Sequence, residues 1–151
     1  MEQTWRGCVV PDGLLYDVAL HVWVRPLADG LMEIGMTDIA QTMGGRVVQV
    51  TWMRTGRIVE RGRPVAAIES AKWVGPFPTP LTGEILSVNR EAFERDIAIA
   101  NRDPYGAGWL GRLRPTKLDE ERLHLVDAAV AYEQYRSFID ERDIRCYRCE
   151  E

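Results

Sequence analysis

Lysine, cysteine and histidine are the side chains of this 151-residue chain whose spacing could carry chemistry. Lys72 lies at the middle of Val65-Ala66-Ala67-Ile68-Glu69-Ser70-Ala71-Lys72-Trp73-Val74-Gly75-Pro76-Phe77-Pro78-Thr79-Pro80. One apolar run climbs to Glu69 and Ser70, the chain turns near Ala71 and Lys72, and a second, proline-punctuated run leads away to Pro80. The pattern predicts a hairpin with a lysine at its tip. An exposed lysine at a turn is ordinarily only a solvated charge. A ligase that acylates a lysine amine, however, needs a residue projecting from a tight, well-held turn. Once acylated, the side chain loses its charge and becomes a long flexible tether, and a tether raises the effective concentration of its cargo at a partner's site.

The other reactive residues offer less. Cys8, Cys146 and Cys149 are an odd number with no framework spacing, so a disulfide-stapled scaffold is not expected and a reducing compartment is. Cys146-Tyr147-Arg148-Cys149 forms a C-x-x-C pair, but no second pair or nearby histidine completes a tetrahedral metal site. It reads as an inert tail, or alternatively as a redox or partner contact. His21 and His124 are the only histidines, and no metal centre is expected.

The elements that must hold the lysine tip are mostly strands. Leu14, Tyr16, Val18, Leu20, Val22 and Val24 alternate, giving two short strands from Leu14 to Leu27 with a core face and, opposite it, a face bearing His21 and Trp23. Residues 31–36 form another strand, Thr37 and Asp38 cap a short helix through Met43, and Gly44-Gly45 stops it. The β-branched stretch from Arg46 to Trp52, then 84–88 and 109–113, complete the strands, while Asn89 caps a turn of helix over 91–95. Gly62 and Gly83 stand at nearly equal distances from Lys72, which suggests two similar strand units related by a pseudo-two-fold axis. After Pro115 the period becomes helical. Thr116 is the expected N-cap of a helix running to about Glu141, with Leu123, Val126 and Val130 on its apolar stripe.

The chain therefore reads as one mainly β domain over 1–151: a β core about 14–115, a C-terminal helix about 117–141 and a tail 142–151. Its 46% hydrophobic and 28% charged residues are an ordinary globular balance. A formal charge of −4 without a Lys/Arg cluster speaks against nucleic-acid binding. No apolar stretch of spanning length and no signal peptide is read, so no membrane partner is expected and the cytoplasm is the expected location.

The hairpin resembles the attachment region of the biotinyl/lipoyl-carrier superfamily, and more narrowly the H protein of the glycine cleavage system. The matching residues are His21 and Trp23; Ile34-Gly35-Met36-Thr37-Asp38 with Ala40-Gln41; Glu69-Ser70-Ala71-Lys72; Pro80 with Gly83; and Asn101-Arg102-Asp103-Pro104-Tyr105-Gly106-Ala107-Gly108-Trp109-Leu110. They span roughly residues 14–135 in order. The resemblance implies a flattened antiparallel β-sandwich with short helices and a C-terminal helix. It also implies lipoate bound covalently to Lys72, flanked by Glu69, Ser70, Ala71 and Trp73, on a non-catalytic carrier with a swinging arm. A biotin carrier would place methionines beside the lysine, where this chain has Ala71 and Trp73.

Two departures bear on the pathway. Val22 stands where the H protein has a glutamate between histidine and tryptophan, and the lysine is followed by aromatic, proline-rich sequence instead of small and acidic residues. These features, with the cysteine-containing tail, resemble the H-protein-like lipoate-binding proteins of a heterodisulfide-reductase-like sulfur oxidation system. The expected partners are then a lipoate ligase or lipoyl transferase, the heterodisulfide-reductase-like complex and dihydrolipoamide dehydrogenase. The alternative is a standard H protein carrying an aminomethyl group among the glycine cleavage P, T and L proteins. A third reading is an unmodified interaction module that uses Trp73 and the tail.

Overall fold

The computed structural model describes residues 2–148. Eleven strands and five α-helices follow in chain order: β1 Gln3–Trp5, β2 Cys8–Val10, β3 Leu15–Asp17, β4 Val22–Pro26, β5 Met32–Met36, α1 Asp38–Gly44, β6 Val47–Trp52, β7 Ile58–Val59, β8 Pro64–Ser70, β9 Val74–Pro78, β10 Gly83–Val88, α2 Arg90–Arg95, α3 Ile99–Arg102, β11 Gly111–Pro115, α4 Leu118–Glu121 and α5 Ala128–Arg142. A six-stranded sheet in the order β3-β4-β5-β11-β10-β7 faces a three-stranded sheet, β6-β8-β9, and β1 pairs with β2 apart from both. All the strand pairs are antiparallel. No helix among the described residues is long and apolar enough to cross a membrane.

The apolar run read up to Ser70 forms β8, in which Ala66, Ile68 and Ser70 are buried, Ala67 and Glu69 face out, and Val65 is buried beside a register shift. Val65, Ile68 and Phe77 meet Val22, Val24, Ile34, Ile85 and Leu113 in the core between the sheets. The hairpin's base is tied by backbone bonds from Gly62 N–H to the Thr79 carbonyl at 2.8 Å and from Thr79 N–H to the Arg63 carbonyl at 2.9 Å, and the flanking β7 and β10 pair in the other sheet with Val59 opposite Gly83.

A second core covers the outer face of the six-stranded sheet, where β2, α5 and Tyr105 pack on Tyr16 and Trp23. The face read as bearing His21 and Trp23, opposite the inner core, is thus itself packed. Trp23 is fully buried, its indole N–H donates to the Pro104 carbonyl at 2.9 Å, and Gly35 makes room for the ring: a Cβ there would lie 2.4 Å from it. His21 is partly buried against Tyr135 and Phe138 of α5.

The single helix expected from Thr116 is corrected. The chain makes the four-residue α4 and one turn of 3-10 helix, then extends so that Val126 bridges to Tyr16, with N–H···O bonds of 2.8 and 2.9 Å in the two directions. Asp127 caps α5, its carboxylate accepting the Val130 N–H at 3.0 Å. The buried stripe is Ala128, Ala131, Tyr135 and Ile139, whereas Leu123 is 85% exposed. Asn89 stands before α2 but does not cap it through its side chain, which donates instead to the Ala107 and Trp109 carbonyls at 2.8 and 2.9 Å.

The reading of the tail as inert, and the expectation that no disulfide staples the chain, are corrected as well. Cys8 of β2 and Cys146 form a disulfide across a sequence separation of 138 residues. Cys149, the other half of the C-x-x-C pair, lies outside the described residues.

Candidate functional site

Lys72 is exposed at the connection between β8 and β9. The turn beneath it is tied at both feet. The Ser70 N–H donates to the Trp73 carbonyl at 2.7 Å, the Ser70 hydroxyl contacts the same carbonyl at 3.2 Å, and the Lys72 N–H donates to that hydroxyl at 3.3 Å. Ala71 N–H reaches the Arg46 carbonyl at 3.4 Å, so the tip also leans on the start of β6. Buried Ser70 thus organises the turn, while Glu69 and Ala71 are exposed and frame it.

Below the tip lies α1, closed by Gly45 at a positive φ of +81° and ψ of −171° that favours glycine. A Cβ at Gly45 would sit 2.7 Å from Lys72 Cε, so the lysine stem runs across the glycine's open side. The Trp73 ring covers Gly75, where a Cβ would approach within 2.1 Å, and its edge is 3.9 Å from the Cβ position of Gly44. This packing accounts for Trp73 as a lid on the hairpin edge, although 44% of the residue remains exposed.

Trp73, α1 and the strands beneath the tip surround a cavity of about 380 Å³, and the Lys72 stem passes its edge at Gly45. Leu20, Met36, Met43, Val47, Ile68 and Phe77 supply its apolar walls, with Gly44, Gly45, Ser70 and Trp73 on the side toward the tip. His21 and Gln41 are its larger polar members, and none of the described lining side chains carries a carboxylate, ammonium or guanidinium. Burial, reinforced by Arg142, holds the His21 imidazole below its ordinary pKa and so favours the neutral ring; Asp17 opposes this. Its buried Nδ1 meets no hydrogen-bond partner among the described residues.

A fully buried asparagine fixes the floor of this arrangement. Asn101 Oδ1 accepts the Val47 N–H at 2.8 Å, and its Nδ2 donates to Gln41 Oε1 and the Gly45 carbonyl, both at 3.0 Å. One side chain therefore joins the end of α1 to the first residue of β6, directly opposite Ser70 in the strand register. At the other end of α1, Thr37 Oγ1 accepts the Ala40 N–H at 3.2 Å, and the Asp38 N–H donates to the Tyr105 hydroxyl at 2.9 Å. Desolvation keeps the Tyr105 phenol far above its usual pKa, so it retains the proton it donates to the Val9 carbonyl at 2.6 Å.

Of the residues read as site residues, Glu69, Ser70, Ala71, Lys72 and Trp73 do come together at one tip. Gly45 and Asn101 were missed as parts of the site. Gly45 was visible only as a helix stop, and Asn101 only as one letter of a turn-rich motif. No cluster of three or more metal-ligating side chains is found among the described residues.

Comparison with known proteins agrees with this geometry. The glycine cleavage H-protein family matches residues 14–141. The chain is similar to glycine cleavage system H protein 2 of Aquifex aeolicus, 36% identical over 144 residues that cover 95% of this chain and 89% of the relative. It is also similar to H protein 3 of the same organism, 40% identical with 96% and 91% covered. The crystal structure of a glycine cleavage system H protein from Mycobacterium marinum superposes with a TM-score of 0.70 at 34% identity, covering 83% of this chain and 98% of that one. H proteins are carriers rather than catalysts, and they bear lipoate covalently on a lysine. The chain belongs to the glycine cleavage H-protein family.

Proposed function

We propose that Lys72 is the lipoylated lysine and that the protein is a carrier whose arm moves between partner active sites and the cavity beside α1. The observation that carries this reading is the placement of Lys72: exposed on a braced turn, with its stem laid over Gly45 at the edge of an apolar cavity. Lys117 is the chain's other lysine. It sits between β11 and α4, where no hairpin presents it. The cavity's apolar walls suit the hydrocarbon and disulfide parts of a lipoyl group. When attached, that group supplies a dithiolane that opens to a dithiol and closes again. The protein's own part is to present the amine to a lipoate ligase or lipoyl transferase, guide the stem past Gly45 and Trp73, and exclude water.

Intact-mass measurement after expression with lipoate and a ligase tests the assignment. Wild type is expected to gain one lipoyl increment and Lys72→Arg none; a wild type that never gains it removes the carrier reading. Partner binding and cellular activity that survive intact in Lys72→Arg would favour an unmodified interaction module.

For the pathway, the names of the relatives favour glycine cleavage, with the P, T and L proteins as partners. A second reading, sulfur oxidation with a heterodisulfide-reductase-like complex and dihydrolipoamide dehydrogenase, draws support from the cavity. A cargo bearing a protonated amine would lose its hydration there without meeting a carboxylate among the described lining residues, a cost of several kcal/mol, whereas an uncharged sulfur-bound cargo would not. Glycine-dependent carbon dioxide release with standard P, T and L proteins separates the two. Turnover supports glycine cleavage, and its absence in fully lipoylated protein counts against it. Both readings place the carrier in the cytoplasm.

A further inference from the structure

The disulfide-bonded tail lies across the back of the helix that walls the lysine's cavity. Cys8 and Cys146 both fall outside the family match at 14–141. Cys146 is tied to the β1–β2 turn, its N–H donating to the Arg6 carbonyl at 3.0 Å while its carbonyl closes over Gly7, where a Cβ would come within 2.6 Å. The next two residues grip α1. Gln41 Nε2 donates to the Tyr147 carbonyl at 2.7 Å, and the Thr42 hydroxyl lies 3.2 Å from the same oxygen and accepts the Tyr147 N–H at 3.3 Å. Arg148 Nε and Nη2 donate to Asp38 Oδ1 and Oδ2 at 3.0 and 3.3 Å.

Asp38 is 1% exposed and also accepts the Val9 N–H at 2.9 Å. Arg148 is thus the cation beside a buried carboxylate, and withdrawing one partner of such a pair leaves the other charge uncompensated. Thr42 would likewise lose the acceptor of its hydroxyl, and Gln41 the shortest of its Nε2 contacts, in a region where unsatisfied polar groups are costly. Gln41 and the terminal glycines of α1 face the cavity, so whatever loosens this grip loosens the cavity wall.

We propose that Cys8–Cys146 is a redox-controlled strap: oxidised, it holds Tyr147 and Arg148 on α1 and fixes the wall under Lys72; reduced, it releases the tail and lets α1 and the lysine tip open. In a reducing compartment a disulfide of this kind acts as a sensor more often than as a permanent staple. Any dithiol of the dihydrolipoamide class can drive the change. Its thiolate attacks Cys146 Sγ, the less buried partner, and Cys8 leaves as a thiolate that takes a proton. The second thiol then closes a ring on the first, releasing the Cys146 thiol. Two electrons and two protons pass from the dithiol, which becomes a cyclic disulfide, to the cysteine pair.

Only the consequence for a loaded arm rests on the lipoyl reading of Lys72; the opening of α1 can be measured in unlipoylated protein, so failure of one is distinguishable from failure of the other. Amide hydrogen exchange on the full chain, purified oxidised and then treated with dithiothreitol, is the experiment. Amides of residues 41–46 and 71–73 are expected to exchange at least tenfold faster after reduction while those of β10 and β11 stay unchanged. The double variant Cys8→Ser with Cys146→Ser is expected to exchange fast with or without reductant. Arg148→Gln, with the disulfide intact, should be intermediate. Unchanged exchange in α1 on reduction, a rise spread evenly over the whole molecule, or two free thiols at Cys8 and Cys146 in air-oxidised protein would each overturn the proposal.

Discussion

At the scale of single residues, His21 and Asn101 carry the sharpest consequences. Folding holds His21 below the ordinary imidazole value of 6.5, first by burial and then through Arg142. The unfolded chain therefore takes up this proton more readily than the folded one, and protonation favours unfolding. Stability is expected to fall as pH drops below about 6.5, with a slope from this group of at most about 1.4 kcal/mol per pH unit. His21 has φ +59°, a conformation that asparagine tolerates, so His21→Asn should remove this part of the pH dependence in urea titrations. An unchanged slope would show that the ring is not the responsible group. Asn101→Ala leaves the Val47 N–H, the Gly45 carbonyl and Gln41 without their buried partner. The expected loss is about 2–4 kcal/mol, seen as a fall in Tm of roughly 5–15 °C. A smaller loss measured by calorimetry would mean that water replaces the amide.

At the scale of elements, what could be read in advance was what depends on neighbours in sequence. The apolar run of β8, the Thr37 cap of α1 and the turn at Lys72 are local patterns, and each forms where its residues dictate. The helical period after Pro115 was also local, yet it misled. Leu123, Val126 and Val130 have the spacing of a helix stripe, but Val126 gains two backbone hydrogen bonds to Tyr16 by extending, and Asp127 then provides a new cap. A distant strand decided the outcome. The burial of Trp23 has the same origin: its second face is covered by β2 and α5, and nothing within β4 reveals that cover. The site divides in the same way. Its lysine tip was legible because a hairpin is contiguous, whereas the wall beneath it joins α1, β6 and the Asn101 loop, which are brought together only by folding.

At the scale of the molecule, two cores share one sheet. The inner core lets the three-stranded sheet hold the hairpin, and the outer core lets α5 and β2 seat the far end of α1 through Tyr105 and Asp38. Gly35, Trp23, Asn101 and Tyr105 supply the contacts that make this arrangement. Their job is to hold the floor on which a lysine can stand.

The bond between Cys8 and Cys146 has one more consequence. It turns residues 8–146 into a covalent ring closed near both ends of the chain. A single cut in a ring opens it without freeing a piece. Trypsin acting at Arg54 or Arg57, in the exposed loop between β6 and β7, should leave one denatured species heavier than the uncut chain by one water. That species should separate into two fragments only when a reductant is added. Two fragments without reductant would mean that the ring was never closed.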